Sequence, residues 1–202
     1  MQFINTVPIA YFGPTEYYGL LEKQEYAIEI NEYFQKQTLR TRCSIFGANG
    51  SIRLTVPKIR KSSDKTLIKD IKISYDYNWQ KEHWNSIKSA YRSAPFFEHY
   101  CDDIIVFFQK KPTFLVDLNL EIHQKIIELT DLSKDFIITK NYNTNPKLDF
   151  RNYKFNKKDM EKYEQVFSYK LNFIPNLSIL DLLFNLGPES HNYLSNINLN
   201  NT

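Results

Sequence analysis

The residues with the most chemical potential lie between positions 31 and 43, in the run Asn31-Glu32-Tyr33-Phe34-Gln35-Lys36-Gln37-Thr38-Leu39-Arg40-Thr41-Arg42-Cys43. Arg40 and Arg42 are two positions apart. On a strand they would share one face and present two planar guanidinium forks, suited to a carboxylate, a phosphate or a sugar-nucleotide diphosphate. Gln35 and Gln37 add neutral hydrogen-bonding groups, Lys36 a further cation, and Glu32 a carboxylate that can accept a proton. The same residues also fit a plainer description, in which Glu32 and Arg40 or Lys36 form surface ion pairs worth about 0–1 kcal/mol each. Burial separates the two readings. A ligand site requires Arg40 and Arg42 in a concave pocket beside the loop at residues 8–16.

His83 lies between Trp79 and Trp84. Its ring is either a general acid or base working near neutral pH or a hydrogen-bonded histidine packed in an aromatic core. Tyr11 sits after the first predicted strand, where strand–helix–strand units place ligand sites. Arg92, grouped with Lys58, Arg60 and Lys61 as a basic patch, joins Tyr11 as a candidate substrate contact. No histidine pair, cysteine cluster or carboxylate spacing forms a metal signature. With five glycines in the chain, neither a phosphate-binding loop nor a dinucleotide fingerprint is present, and no cofactor is expected.

The elements that must position these groups follow from periodicity. Residues 1–6 read as a short buried strand, and residues 15–21 as a helix with Thr15 as its N-cap. Residues 26–30 read as a second strand, completing a β-α-β unit. Residues 41–46 and 51–56 flank Asn49-Gly50, which supplies the positive φ of a hairpin turn. Residues 58–69 read as a solvated loop and 70–74 as another strand. Asn78 opens an amphipathic helix ended by Pro95, and further helical spacing covers residues 101–108 and 113–129. Residues 135–140 return to strand and 141–158 are polar. Residues 178–185 form an apolar helix closed by Gly187 and Pro188. The expected class is α/β, with α+β as the variant: a β-α-β unit and a hairpin, then a mainly helical middle and C-terminal part. Residues 1–193 are expected to make a single domain and 194–202 a flexible tail.

Composition bounds the partners. Of 202 residues, 42% are hydrophobic and 15% aromatic, enough for a core rich in Tyr and Phe. A net charge of +3 is too small and too dispersed for the concentrated basic footprint of a nucleic-acid protein. No stretch is long and apolar enough to span a bilayer and residues 1–12 lack a signal-peptide pattern, so a cytoplasmic location is expected. Cys43 and Cys101 read as free thiols.

Several ordered blocks resemble the WbqC-like family. They are Ala10-Tyr11-Phe12-Gly13-Pro14 with Glu16-Tyr17, Tyr33 to Thr38 running to Arg40, Arg42 and Cys43, and Gly47-Ala48-Asn49-Gly50 with Leu54-Thr55-Val56-Pro57. Further blocks are Trp79, His83, Trp84 and Ala90-Tyr91-Arg92, then Tyr163, Gln165, Phe167 and the run from Pro175 to Phe184. The resemblance implies that the segment from Gln35 to Arg42 is a family feature. It also implies a bacterial setting in surface-polysaccharide gene clusters, with acyl or aminoacyl transfer to amino sugars as the suggested chemistry. Many members carry His-Gln-Pro after the first strand. This chain has Asn5-Thr6-Val7-Pro8, so a mechanism resting on that histidine does not carry over.

Two expectations compete. The first is a transferase of cell-envelope glycan biosynthesis, with Arg40 and Arg42 gripping an anionic small-molecule or sugar-nucleotide donor and His83 or Glu32 removing the attacking proton. The second is a non-catalytic partner in a membrane-associated complex, docking a protein through residues 9–18 and the basic loop at 60–69.

Overall fold

The computed structural model describes residues 4–59, 65–132 and 136–198. The chain is a mixed α/β protein. Strand β1 (Asn5–Pro8), helix α1 (Thr15–Glu22) and strand β2 (Tyr26–Glu29) form the expected unit, with β1 and β2 parallel and Asn5 opposite Tyr26. Strand β3 (Arg42–Gly47) pairs antiparallel with β4 (Gly50–Thr55) as a separate hairpin. Helices α2 (Trp79–Tyr91), α3 (Phe97–Gln109) and α4 (Leu115–Leu129) follow. Strand β5 (Phe136–Ile138) then returns to lie parallel to β2, giving the order β1-β2-β5. On the other flank of β1, Leu148 O accepts from Thr6 N at 2.9 Å and Phe150 N donates to Thr6 O at 2.8 Å. The polar stretch after β5 thereby covers the free edge of β1. Helices α5 (Ser168–Leu171), α6 (Ile179–Leu186) and α7 (Ser190–Asn196) complete the chain.

Local chemistry accounts for most boundaries. Asn78 caps α2 by accepting from Lys81 N at 3.3 Å. Gly187 ends α6 at φ 55°, and a Cβ there would lie 2.5 Å from the Phe96 ring, so both backbone and space demand glycine. In the hairpin the positive φ falls on Gly50 alone, at 115°. Asn49 is not required by the turn geometry.

Four expectations change. The first strand runs over Asn5–Pro8 instead of 1–6, and residues 1–3 lie outside the described residues. Thr15 is the first helical residue of α1 rather than its cap; its Oγ1 donates to Leu177 O at 3.1 Å, while Asn176 Oδ1 accepts from Glu16 N at 2.9 Å. The first turn is thus capped from 160 positions away. Residues 70–74 make no strand: a 3-10 turn at Ile68–Asp70 leads into isolated bridges of Lys72 with Phe114 and Ile73 with Lys58. A β-prone run needs a neighbouring strand to pair with, and here each neighbour offers a single residue. Within the stretch expected as a tail, α7 carries Leu194 into the core and Ile197 packs there as well. Residues 60–64 of the basic loop lie outside the described residues.

The core is rich in Tyr and Phe: Tyr11, Phe12, Tyr17, Tyr18, Tyr91 and Phe184 are fully buried. Residues 9–18 are buried apart from half-buried Pro14. This corrects the docking expectation, because that aromatic stretch is interior packing and offers no surface. Phe12 sits at φ 41°, unusual for a bulky residue. It is held there by Ser178 Oγ donating to its carbonyl at 2.8 Å and by its ring stacking on Phe108.

Both cysteines are free. Burial pushes the Cys43 thiol up to about 12, whereas Cys101 on α3 is partly exposed. Under native conditions iodoacetamide is expected to label Cys101 at least about a hundredfold faster than Cys43, because the thiolate is the nucleophile. Mass spectrometry should find two fast thiols only after unfolding in urea.

Candidate functional site

Arg40 and Arg42 do not share a strand face. The backbone from Thr38 to Arg42 is a turn, with Thr41 N and Arg42 N both donating to Thr38 O at 3.1 Å. The two-residue alternation that would align the guanidiniums requires extended backbone, and only Arg42 belongs to β3. Arg40 turns inward. It is 1% exposed, and its Nε and Nη2 donate to Glu32 at 2.7 and 2.6 Å in a bidentate fork. Nη2 also donates to Arg151 O at 2.9 Å and Nη1 to Thr38 Oγ1 at 3.3 Å. Burial pushes the Glu32 carboxyl up, against the pull of the Arg40 guanidinium. The pair is buried and internally satisfied, which answers neither the open-surface nor the ligand-gripping description.

Next to this pair lies a second buried ionic group that sequence reasoning did not find. Glu29, at the end of β2, is fully buried. Its Oε1 accepts from Asn31 N at 2.8 Å and Thr139 Oγ1 at 2.6 Å, and its Oε2 from Asn143 N at 2.8 Å and Arg151 Nη1 at 3.4 Å. Arg151 also grips Asp149 through Nε and Nη2 at 2.8 and 2.6 Å, which lowers the Asp149 carboxyl and raises the guanidinium. The carboxyl ends of parallel strands are where α/β folds usually bind ligands. In this chain Glu29, Arg151 and Asn143 occupy that region. No spacing rule links Glu29 to an arginine 122 positions later.

His83 stands apart from both groups. It is 5% exposed, with Nδ1 2.8 Å from Tyr11 Oη, a backbone hydrogen bond to Thr55, and its ring edge-on to Trp79. Burial lowers it to about 4. Tyr11 is fully buried, and its backbone N donates to Leu39 O at 2.8 Å, so it ties the loop after β1 to both the Arg40 turn and His83. Gln35 Nε2 donates to Asn152 Oδ1 at 2.6 Å. Lys36 and Gln37 are exposed, Gln37 at φ 64° at the tip of its turn. Arg92 is exposed at the end of α2. The expected convergence of Glu32, Arg40, Arg42 and His83 on one recess therefore resolves into two places: the Glu32–Arg40 pair, and Arg42 with the Thr55 backbone that His83 engages.

Among the described residues Arg42 is a partly buried cation left uncompensated. It is half-buried, its buried Nε has no hydrogen-bond partner, and among the described residues no carboxylate pairs with it. Opposite it in register is Thr55, and the next non-adjacent pair is Ser44 with Arg53. Directly opposed residues of an antiparallel pair project from the same face, so Arg42, Ser44, Arg53 and Thr55 share the outer face of the hairpin. Arg53 is exposed and likewise unpaired among the described residues. Two guanidiniums and two hydroxyls on a short hairpin are donor groups of the kind that suit an anion. The other face carries buried Cys43, Ile45 and Leu54 and, towards the tip, exposed Ile52, while Phe46, on the same face as Arg42, is buried. Sequence reasoning missed Arg53, although hairpin register alone places it diagonal to Arg42.

Two further buried carboxylates organise the C-terminal half. Glu16 accepts from Tyr153 Oη at 2.8 Å, Lys157 N at 2.9 Å and Asn176 Nδ2 at 2.9 Å. Asp181 accepts from Tyr91 Oη at 2.9 Å, Tyr163 Oη at 2.6 Å and Gln165 Nε2 at 2.8 Å. Even with three donors, full burial raises Asp181 to about 6.

Residues 10–152 and 145–193 match the WbqC-like protein family. The chain belongs to that family. No curated protein and no solved structure matches it. Many residues that anchor this WbqC-like fold are those through which the sequence resembles the family: Glu16, Arg40, Tyr91, Tyr163, Gln165 and Asp181 all end in buried or part-buried hydrogen bonds. Among the described residues of this WbqC-like chain, no group of three or more His, Cys, Asp or Glu is arranged to hold a metal ion. Nor is any described helix long and apolar enough to cross a membrane.

Proposed function

We propose that this WbqC-like chain acts in bacterial cell-envelope or surface-polysaccharide biosynthesis, transferring an acyl or aminoacyl group from an anionic donor to an amino sugar. The anionic part of the donor lies against the outer face of the β3–β4 hairpin. The observation that carries the reading is Arg42: a half-buried guanidinium with no counter-charge among the described residues, flanked by Arg53, Ser44 and Thr55 on one face. Leaving a charge partly desolvated and unpaired costs stability, and a site that receives an anion offsets that cost on binding. Family membership supports the glycan setting.

In this reading Glu32, Arg40 and His83 are positioning residues. The Glu32–Arg40 fork locks the turn that launches Arg42 into β3, and His83 engages the Thr55 backbone directly across from Arg42. Tyr11 connects the two supports. The test is thermal-shift and calorimetric titration of the purified chain with a sugar nucleotide such as UDP-N-acetylglucosamine and with inorganic pyrophosphate. Wild type is expected to gain Tm with ligand. Arg42→Ala is expected to weaken binding by about tenfold to a hundredfold, the worth of a charge-assisted hydrogen bond. Arg53→Ala should weaken it less, because its guanidinium is more exposed. Equal binding by wild type and Arg42→Ala would remove the site.

A further inference from the structure

The hairpin tip is longer in chemistry than a turn requires. Gly50 alone supplies the positive φ, yet Asn49 stands beside it with no hydrogen-bond partner among the described residues. Between this tip and the outer face of α2 lies a cleft of about 470 Å³, within the range of small-molecule sites. Its polar lining is Asn49 and Ser51 from the hairpin and Asn85, Ser86 and Ser89 from α2. Ser86 Oγ donates to Glu82 O at 2.8 Å. Asn49, Ser51, Asn85 and Ser89 have side chains without an intramolecular partner among the described residues. Among the described residues no ionisable side chain and no aromatic ring lines the cleft, and Ile52, 39% exposed, gives it one apolar wall.

From this lining we infer that the cleft binds a neutral saccharide unit. Each primary amide offers both donors and an acceptor, and each serine hydroxyl does both, which matches the alternating donor and acceptor character of adjacent sugar hydroxyls. The apolar wall suits the C–H face of a pyranose ring. Among the described lining residues a charged ligand would find no counter-ion, in contrast to the arginine face further along the same hairpin. Because no aromatic platform stacks on the ring, affinity belongs in the millimolar range. The assignment rests on the glycan-transfer reading above and gives it a place for the neutral part of the sugar substrate. The single hairpin then carries two chemically distinct surfaces, cationic around Arg42 and neutral around Asn49.

The experiment is amide NMR on the ¹⁵N-labelled full chain, titrated separately with N-acetylglucosamine and with inorganic pyrophosphate. N-acetylglucosamine is expected to shift the amides of residues 47–52 and 85–89, and pyrophosphate those around Arg42 and Arg53. The exposed double variant Asn49→Ala/Asn85→Ala should weaken the sugar response about tenfold, the loss of roughly two neutral hydrogen bonds, and leave the pyrophosphate response intact. The saccharide assignment is overturned if N-acetylglucosamine moves no amide of the cleft, if the double variant responds as wild type does, or if N-acetylglycinamide shifts the same amides as strongly. Failure of pyrophosphate alone would strike the donor reading and leave the cleft standing.

Discussion

Replacing Arg40 by alanine is expected to cost the fold about 3–5 kcal/mol, the penalty for leaving one half of a buried ion pair uncompensated. For a chain of this length that corresponds to a Tm lower by about 10 °C. The loss has three sources in the geometry. Glu32, 4% exposed, would keep a carboxylate in the interior without its bidentate partner. Arg151 O would lose its donor from Arg40. The turn from Thr38 to Arg42 would also lose its anchor to the sheet end. Arg40→Lys should recover little, because an ammonium cannot reproduce the planar fork. The double variant Glu32→Leu/Arg40→Met removes both charges and is expected to regain most of the stability. Urea unfolding of the four proteins checks this. A cost below about 1 kcal/mol for Arg40→Ala, the range of a surface pair, would mean that the ion pair is solvated. Because the turn feeds β3, the same variants should weaken anion binding at Arg42 secondarily, and the double variant should restore it with the fold.

Acidification is expected to destabilise the protein strongly below pH 6.5, with two histidines responsible. His83 is lowered from 6.5 to about 4 and His123 from 6.5 to about 3, both by burial. Below pH 6.5 the unfolded chain takes up protons that the folded rings refuse, so stability falls until pH passes each folded value. At 1.36 kcal/mol per pKa unit, His83 accounts for roughly 3 kcal/mol and His123 for roughly 5 kcal/mol. The groups around them are phenols and aromatic rings: Tyr11, Trp79 and Phe108 at His83, and Tyr18, Tyr26 and Phe136 at His123. Asp181 acts in the opposite sense. Raised from 3.8 to about 6, it contributes stability that is fully present below pH 3.8 and is lost as pH rises through 6. Between pH 6 and 4 it therefore offsets one histidine, and the net loss is about 1.4 kcal/mol per pH unit. In Asp181→Asn that slope should double, and in His123→Gln it should flatten. The slope of unfolding free energy against pH reads the effect independently of each variant's absolute stability. A flat profile between pH 6 and 4 in the wild type would mean that only one buried imidazole opposes Asp181, and stability that rises on acidification would place both imidazoles in contact with solvent.

The elements were largely legible where their determinants are local. Asn78 followed by an amphipathic run marks α2, Gly187-Pro188 marks the end of α6, and two β-prone runs around Asn49-Gly50 mark the hairpin. Each signal spans a turn or two of chain, and the structure places each element close to its expected bounds. Residues 70–74 show the opposite case, since their β-propensity finds no strand to pair with. Of the candidate site, the chemistry of the Glu32 to Arg42 segment was visible but its division was not. A two-residue spacing aligns Arg40 with Arg42 only if the backbone is extended, and the hydrogen bonds of the Thr38 to Arg42 turn decide otherwise.

By itself the sequence determined the α/β class, the hairpin, the main helices, the aromatic core and membership of the WbqC-like family, because periodicity, turn residues and ordered motifs are written in neighbouring positions. Tertiary structure alone decided which charges are spent and which are free. Arg40 is neutralised eight positions away by Glu32, Glu29 meets Arg151 across 122 positions, and α1 is capped by Asn176 across 160. The role of a guanidinium or carboxylate depends on what compensates it in a low-dielectric interior, and that partner is chosen by folding in space, not by distance along the chain.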